Sequence, residues 1–250
     1  MKKLRVGVIF GGRSGEHEVS VRSARAVIDA MGAEKYTVVP IGITKEGKWL
    51  SPADATRLLP YETKKLLTDD VISEKRQPSA LIGDPSSNGL VSRAAKREEA
   101  TTTTAQPLDV VFPILHGTYG EDGTIQGWLE MVGVPYVGCG VLASSCGMDK
   151  VTMKALFREA GLPVCKYTWL LRKSWDKDRQ SVLRRIAREV GFPCFVKPAN
   201  LGSSVGISRA INKASLEKAI ELAARYDRRI IVEEGLNARE IECGVIGNEA

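Results

Sequence analysis

Two histidines are all that this 250-residue chain carries, and each lies in a glycine-rich, acidic turn directly after an apolar, β-branched run. His17 sits in Gly11-Gly12-Arg13-Ser14-Gly15-Glu16-His17-Glu18-Val19-Ser20, and His116 in His116-Gly117-Thr118-Tyr119-Gly120-Glu121-Asp122-Gly123. Turns of this kind at strand ends look like binding loops. In open α/β sheets ligands collect beyond the carboxyl ends of the strands, so two turns more than 90 residues apart in sequence can line one crevice. The plainer reading, that glycine and charge simply make good turns, stays open for either segment alone.

A third segment, Lys197-Pro198-Ala199-Asn200-Leu201-Gly202-Ser203-Ser204-Val205-Gly206, has the make-up of a phosphate loop. A lysine at a strand end supplies a point charge, and Gly-Ser-Ser-x-Gly exposes backbone N–H groups and hydroxyl donors, which together suit the terminal phosphates of a nucleotide. A surface loop has a similar composition. Further on, Ile230 to Glu240 begins as a strand and ends in carboxylates, and Glu233 and Glu240 can accept from an adenine amino group and ribose hydroxyls.

Two weaker matches are set aside. Gly42-Ile43-Thr44-Lys45-Glu46-Gly47-Lys48 fits the first seven positions of a nucleotide P-loop, but Trp49 stands where a magnesium-binding Ser or Thr is needed and no helix pattern follows. Lys45-Glu46-Gly47 therefore reads as a hairpin turn. The dinucleotide fingerprint fails as well, because the first strand is followed by Gly11-Gly12-x-x-Gly15 and no acidic residue ends the second strand to take a ribose, which counts against a dehydrogenase.

The elements that must position these loops follow from periodicity. Residues 4–10 read as a buried parallel strand, Ser20 as the cap of a helix to about Met31 with Val21, Ala24 and Ile28 on one face, and Tyr36 to Ile43 as the second strand. Asp109 to Leu115 is another apolar run, and Gly123 leads into a helical stripe of Ile125, Trp128, Leu129 and Val132. Strand and helix alternate, so the sheet should be parallel. Residues 71–107 are polar, with turn chemistry and little periodicity, and are expected to hold at most an edge hairpin. After Gly138 the texture changes to a small α+β module. Asp149 caps a helix from Lys150 to Gly161, then come a strand at Tyr167 to Leu171, a helix near Trp175 to Val190, and a strand at Cys194 to Lys197. A helix with Leu216, Ala219, Ile220 and Ala223 on one face and a strand Ile230 to Glu233 complete it, and Glu240 to Ile246 alternates as one more strand.

Composition narrows the class of protein. With 43% hydrophobic and 26% charged residues the chain has material for about two domains, each with its own core. No stretch reads as a membrane span or signal peptide, so a cytoplasmic protein is expected. The five cysteines are odd in number and contain no C-x-x-C pair, and their mostly apolar surroundings suit buried reduced thiols. No metal is implied by them. The net charge of +6 admits an anionic ligand. Because the basic residues are spread along helix-like segments such as Arg179 to Arg188 without interleaved aromatics, a nucleic-acid surface is not expected.

The ordered segments Gly15 to Ser20, His116 to Gly123, Met148-Asp149-Lys150, Phe195-Val196-Lys197-Pro198, Gly202 to Gly206 and Glu233 to Glu240 resemble the bacterial D-alanine:D-alanine ligases of the ATP-grasp superfamily. The resemblance covers nearly the whole chain. It implies an α/β protein with a parallel-sheet, Rossmann-like N-terminal substrate-binding domain over 1–145, a central ATP-grasp subdomain over 146–235, and over 236–250 the opening strand of a further, incomplete ATP-grasp subdomain. By the same resemblance, Lys150 and Lys197 contact ATP phosphates, and Ser203 and Ser204 sit in the loop that covers them. Glu233, Glu234 and Leu236 frame the adenine and Glu240 the ribose. Glu16 holds the ammonium of the first D-alanine and orients Ser203, so Glu16 and Ser203 are the catalytic candidates, while His116 lies close to that substrate and Glu121 supports the pocket.

The implied reaction is an ADP-forming carbon–nitrogen ligation for peptidoglycan precursor synthesis, with ATP and Mg²⁺ required and a homodimer as the implied assembly. Structural readings stay open for single residues: His116 as a satisfied turn histidine, Lys150 as an ordinary first-turn lysine, and Glu121 with Asp122 as helix N-terminal carboxylates.

The family holds magnesium with an Asp and a Glu-x-Asn pair and uses an arginine to stabilise the tetrahedral intermediate, in a C-terminal stretch that also carries a closing loop. No match to that stretch occurs here, so a C-terminally truncated ligase is expected, with its metal ligands beyond residue 250 and little activity of its own. A noncatalytic nucleotide-binding or dimerising module is the alternative from another class, and a D-alanine:D-lactate ligase the alternative within the family, since the closing loop would set the acceptor.

Overall fold

The computed structural model describes residues 2–59, 63, 67, 80–84, 89–93 and 108–247, with backbone alone at 80–84 and 89–93. The chain divides into two compact units, Met1–Leu156 with Asn200–Val205, and Phe157–Ala199 with Gly206–Ala250.

In the first unit β1 (Leu4–Gly11) is the central strand, flanked in parallel by β2 (Tyr36–Ile43) and by the strand Val110–Ile114. Its middle residues are buried on both faces, which is why the run is apolar without alternation. Val6, Val8 and Phe10 pack with Ala24 and Ile28 of α1 (His17–Ala30). Ile9 packs on the opposite side with Ile125, Leu129 and Val132, at and beyond the helix Thr124–Met131. Full burial of such aliphatic side chains stabilises by about 1.5–3 kcal/mol each. Order β2-β1-Val110–Ile114 puts the carboxyl ends of all three strands at one edge.

The first helix begins at His17, three residues before the expected cap. Ser20 is buried instead: its hydroxyl accepts from the Gly11 N–H at 2.7 Å and donates to the Ile114 carbonyl. It thus satisfies backbone groups where two neighbouring strands stop, a demand that outweighs local capping preference. Within 71–107 the structure holds an antiparallel hairpin of β3 (Ala80–Asp84) and β4 (Gly89–Arg93), which forms a sheet of its own and does not extend the edge of the parallel one. The rest of that segment lies outside the described residues. Lys45-Glu46-Gly47 is a hairpin turn, with Ile43 bridged to Trp49 and the Thr44 N–H donating to Lys48 O at 2.9 Å, so the P-loop match is spurious.

With the strand Val110–Ile114 as β5, the second unit is an antiparallel sheet of β6 (Tyr167–Leu171), β9 (Arg229–Glu234), β7 (Cys194–Pro198) and β8 (Ser208–Ala210), in that order. Leu170, Val196 and Ile230 pack in one core with Trp175, Ile186 and Leu216 from the helices. The single helix expected near 175–190 is two, Arg172–Lys177 and Arg179–Glu189, because Asp178 leaves helical geometry and accepts from the Ser181 N–H at 2.9 Å. Helix Lys213–Tyr226 buries Leu216, Ala219, Ile220 and Ala223 as expected.

Two corrections concern the remaining segments. Glu240 to Ile246 forms no strand; a strand needs a neighbour to take its backbone hydrogen bonds, and no described strand pairs with it. Of the cysteines only Cys194 is buried, where desolvation pushes its thiol pKa up, while Cys139 and Cys243 are exposed; all five are free. Among the described residues no helix is long and apolar enough to cross a membrane.

Candidate functional site

In the first unit the two histidine turns meet at the sheet edge. Gly11 and Gly12 have φ of +91° and +92°, and a Cβ on Gly11 would lie 2.2 Å from the Ile43 carbonyl, so the chain can turn here only through glycine. Buried His17 closes the turn: its Nδ1 is 2.8 Å from the Gly12 carbonyl, which can only accept, so Nδ1 carries the proton. Ser14 joins the loops, its hydroxyl donating to His116 O at 2.6 Å and accepting from the Glu16 N–H at 3.2 Å. Residues of both turns line a cleft of about 380 Å³.

Glu16 is the residue before α1 and its side chain makes no capping bond, which leaves the carboxylate for other partners. The Ser203 hydroxyl donates to it. Two glycines give it room: a Cβ on Gly117 or Gly202 would stand 2.5 or 2.9 Å from Glu16 Oε2. The segment carrying Ser203 is held by Lys150, whose ammonium donates to Leu201 O at 2.5 Å, and by Asn200, whose amide donates to Asp149 Oδ2 at 3.2 Å. Asp149 also caps the helix Lys150–Glu159 as expected, accepting from the Val151 and Thr152 N–H groups at 3.0 and 2.8 Å. Ser203 and Ser204 both have left-handed backbone, with φ of +47° and +57°.

His116 Nε2 is hydrogen-bonded to Ser23 Oγ at 3.0 Å, and its Nδ1 lies 3.7 Å from Glu121 Oε1. Glu121 Oε2 accepts from the Gly117 N–H at 2.7 Å, and Asp122 accepts from Tyr119 and Thr124 at 2.9 and 3.0 Å. Both carboxylates thus serve the backbone of the turn, and Glu121 in addition faces the imidazole. Glu18 is taken by Lys45 at 2.8 Å, whose hydrogen bond and charge hold its carboxyl below the ordinary range.

In the second unit Lys197 and Glu233 lie diagonally across the neighbouring strands β7 and β9, with Lys197 Nζ 2.5 Å from Glu233 Oε2. Glu233 is only 6% exposed, and a carboxylate so buried requires a cation beside it. Glu234 accepts from the Lys166 N–H at 2.7 Å, which ties β9 to the start of β6. Leu236 and Glu240 follow β9 in exposed chain without regular structure. Sequence reasoning missed Ser14, Ser23 and Asn200 as members of the site. Ser14 and Asn200 carried a signal, the one lying inside the glycine turn two residues before Glu16 and the other inside the phosphate loop, whereas Ser23 carried none.

Family models described as D-ala D-ala ligase N-terminus and D-ala D-ala ligase C-terminus match residues 5–139 and 156–250. The D-alanine--D-alanine ligase of Bacillus velezensis is 50% identical over 244 residues, covering 96% of this chain and 64% of that protein. That of Heliobacterium modesticaldum is 47% identical over 253 residues, covering 100% and 64%. Among solved structures, the D-alanine-D-alanine ligase from Coxiella burnetii superposes with a TM-score of 0.77 at 32% identity over 99% of this chain and 68% of that one. The VanG D-Ala:D-Ser ligase from Enterococcus faecalis gives 0.75 at 35% identity, over 94% and 64%. The parallel sheet followed by an α+β unit is accordingly the ATP-grasp arrangement of these neighbours, and this chain belongs to the D-alanine–D-alanine ligase family. It spans 64% of the length of these two curated relatives.

Proposed function

We propose that this chain serves the ATP-dependent joining of two D-alanines. The carboxylate of the first D-alanine attacks the terminal phosphorus of ATP, forming an acyl phosphate and releasing ADP. The amine of the second then attacks the acyl carbon, and phosphate leaves as the amide forms. Carboxylate oxygen is a poor leaving group and phosphate a good one, so positioning and charge stabilisation supply most of the catalysis.

The observation that carries this reading is the Ser203–Glu16 hydrogen bond, which brings the phosphate loop onto the carboxylate best placed to hold a substrate ammonium. In this proposal Glu16 takes that ammonium, with His116 beside it and Glu121 supporting the turn. Lys150 and Lys197 neutralise phosphate oxygens under Ser203 and Ser204, Glu233, Glu234 and Leu236 frame the adenine, and Glu240 takes the ribose. Residues 1–145, 146–235 and 236–250 are its functional subdivisions.

Magnesium would spread the phosphate charge. Among the described residues no group of three His, Cys, Asp or Glu side chains converges as a metal site, and no step above is routed through one. The same proposal places the protein in the cytoplasm, in peptidoglycan precursor synthesis, and as a homodimer. Exposed Met131 and Leu142 on helices of the first unit offer apolar surface for a second copy.

The test is phosphate release from ATP with and without D-alanine, on these 250 residues and on a chain continued to the length of its relatives. D-Alanine-dependent release by the longer chain, with D-serine and D-lactate ineffective as acceptors, is the expected result. Release indifferent to D-alanine would refute the substrate assignment.

A further inference from the structure

One cleft at the carboxyl ends of β1, β2 and β5 has walls that the ligase chemistry leaves unused. Trp49 and Trp128, partly buried against the core, line it with ring centroids 5.5 Å apart and tilted by 47°. Arg13 and Tyr119 line it as well, the guanidinium 5.4 Å from the centre of the phenol ring. Arg13 is threaded past the β2 hairpin so closely that a Cβ on Gly47 would lie 2.6 Å from its Cδ. Its stem thus passes Gly47 and its head lies over Tyr119, while the side chain stays exposed to an incoming ligand.

Charge sets the kind of ligand. Arg13 is the one side chain with a permanent charge on the lining, among the described residues, and it has no carboxylate partner there. The neighbouring Lys45 is taken by Glu18. A single unneutralised guanidinium beside an aromatic pair calls for a monoanion with a flat apolar body, and the planar fork of arginine matches a carboxylate in two hydrogen bonds. The volume of about 380 Å³ suits a small molecule. A zwitterionic amino acid fits less well, because among the described residues no Asp or Glu lines the cleft to receive its ammonium.

We propose that this cleft is a binding site for a small aromatic monocarboxylate, held by Arg13 at its head and by Trp49 and Trp128 along its body. Ser14 and His116 of the histidine turns also line this cleft, and the proposed function puts His116 beside the first D-alanine, so competition by D-alanine decides whether the two sites are distinct.

Ligand-observed NMR titrations with phenylacetate, with its neutral analogue phenylacetamide and with D-alanine as competitor test it on the whole chain. Phenylacetate is expected to bind saturably, phenylacetamide about tenfold or more weakly, and Arg13→Met to erase that difference without changing the weak binding of the amide. D-Alanine should leave phenylacetate in place. Three results would each overturn the proposal: no saturable binding of phenylacetate, equal binding of acid and amide to the unaltered chain, or unchanged phenylacetate affinity in Arg13→Met. Displacement by D-alanine would also overturn it, by making the cleft part of the amino-acid site. Because Arg13 is exposed, its replacement leaves the fold intact, which a matching thermal unfolding curve checks.

Discussion

Ser203 and Glu16 are 187 positions apart and share a hydrogen bond in which one partner is charged. In an active chain Ser203→Ala should cost about 1.5–3 kcal/mol in kcat/KM. Glu16→Gln should cost more and raise the KM for the first D-alanine above any change for ATP, since it also removes the ammonium partner. The double substitution should lose clearly less than the sum, because both break one bond; strict additivity would separate the two residues functionally. Gly117 offers a second test at this scale. Gly117→Ala puts a Cβ 2.5 Å from Glu16 Oε2 at a φ of +72°, whereas Gly15 has open space around its Cβ position. Left-handed backbone costs a non-glycine residue about 1–2 kcal/mol. Gly117→Ala should therefore weaken D-alanine binding and lower stability, with Gly15→Ala near neutral in the same assays.

At the scale of elements, the buried hydroxyl of Ser20 joins α1 to the ends of β1 and β5. Ser20→Ala orphans the Gly11 N–H and the Ile114 carbonyl in a place closed to water, so urea denaturation should show a loss of about 1–3 kcal/mol. Ser23, on the same helix but only half-buried, should cost less when changed to alanine. A loss of equal size at both positions would mean that the strand-end bonds carry no special weight. Most strands and several helices were legible in the sequence because their signals are local: β-branched runs for β1 and β2, the i, i+3, i+4 stripe from Ile125, and Asp149 before Lys150. The three-residue β8 and the helix Val141–Met148 were not. Helix α1 was misplaced at its start because Ser20 looks like a cap, and nothing nearby says that a strand 94 positions away needs its hydroxyl.

For the whole molecule, thiol chemistry reports on both units. Exposed Cys139 and Cys243 should react quickly with a disulfide reagent at neutral pH, one in each unit. Cys194 opens β7 of the second sheet and is fully buried in that unit's core with its pKa raised by desolvation, so its thiolate is scarce and inaccessible. It should be labelled only as the second unit unfolds, and its labelling rate across a urea series should follow the loss of that unit's signal. Prompt labelling of Cys194 in the folded protein would contradict the packing around β7. Most element types, the parallel character of the first sheet and the family likeness were determined by the sequence alone, since propensity, periodicity and short motifs act over a few residues; the strand order β2-β1-β5 was not. The tertiary structure alone decided that Ser14 links the two histidine turns, that residues 200–205 belong with the first compact unit, that Glu233 is buried against Lys197, and that 240–246 forms no strand. Each of these depends on which distant group satisfies a buried hydrogen bond, charge or strand edge, and a linear pattern carries no information about that partner.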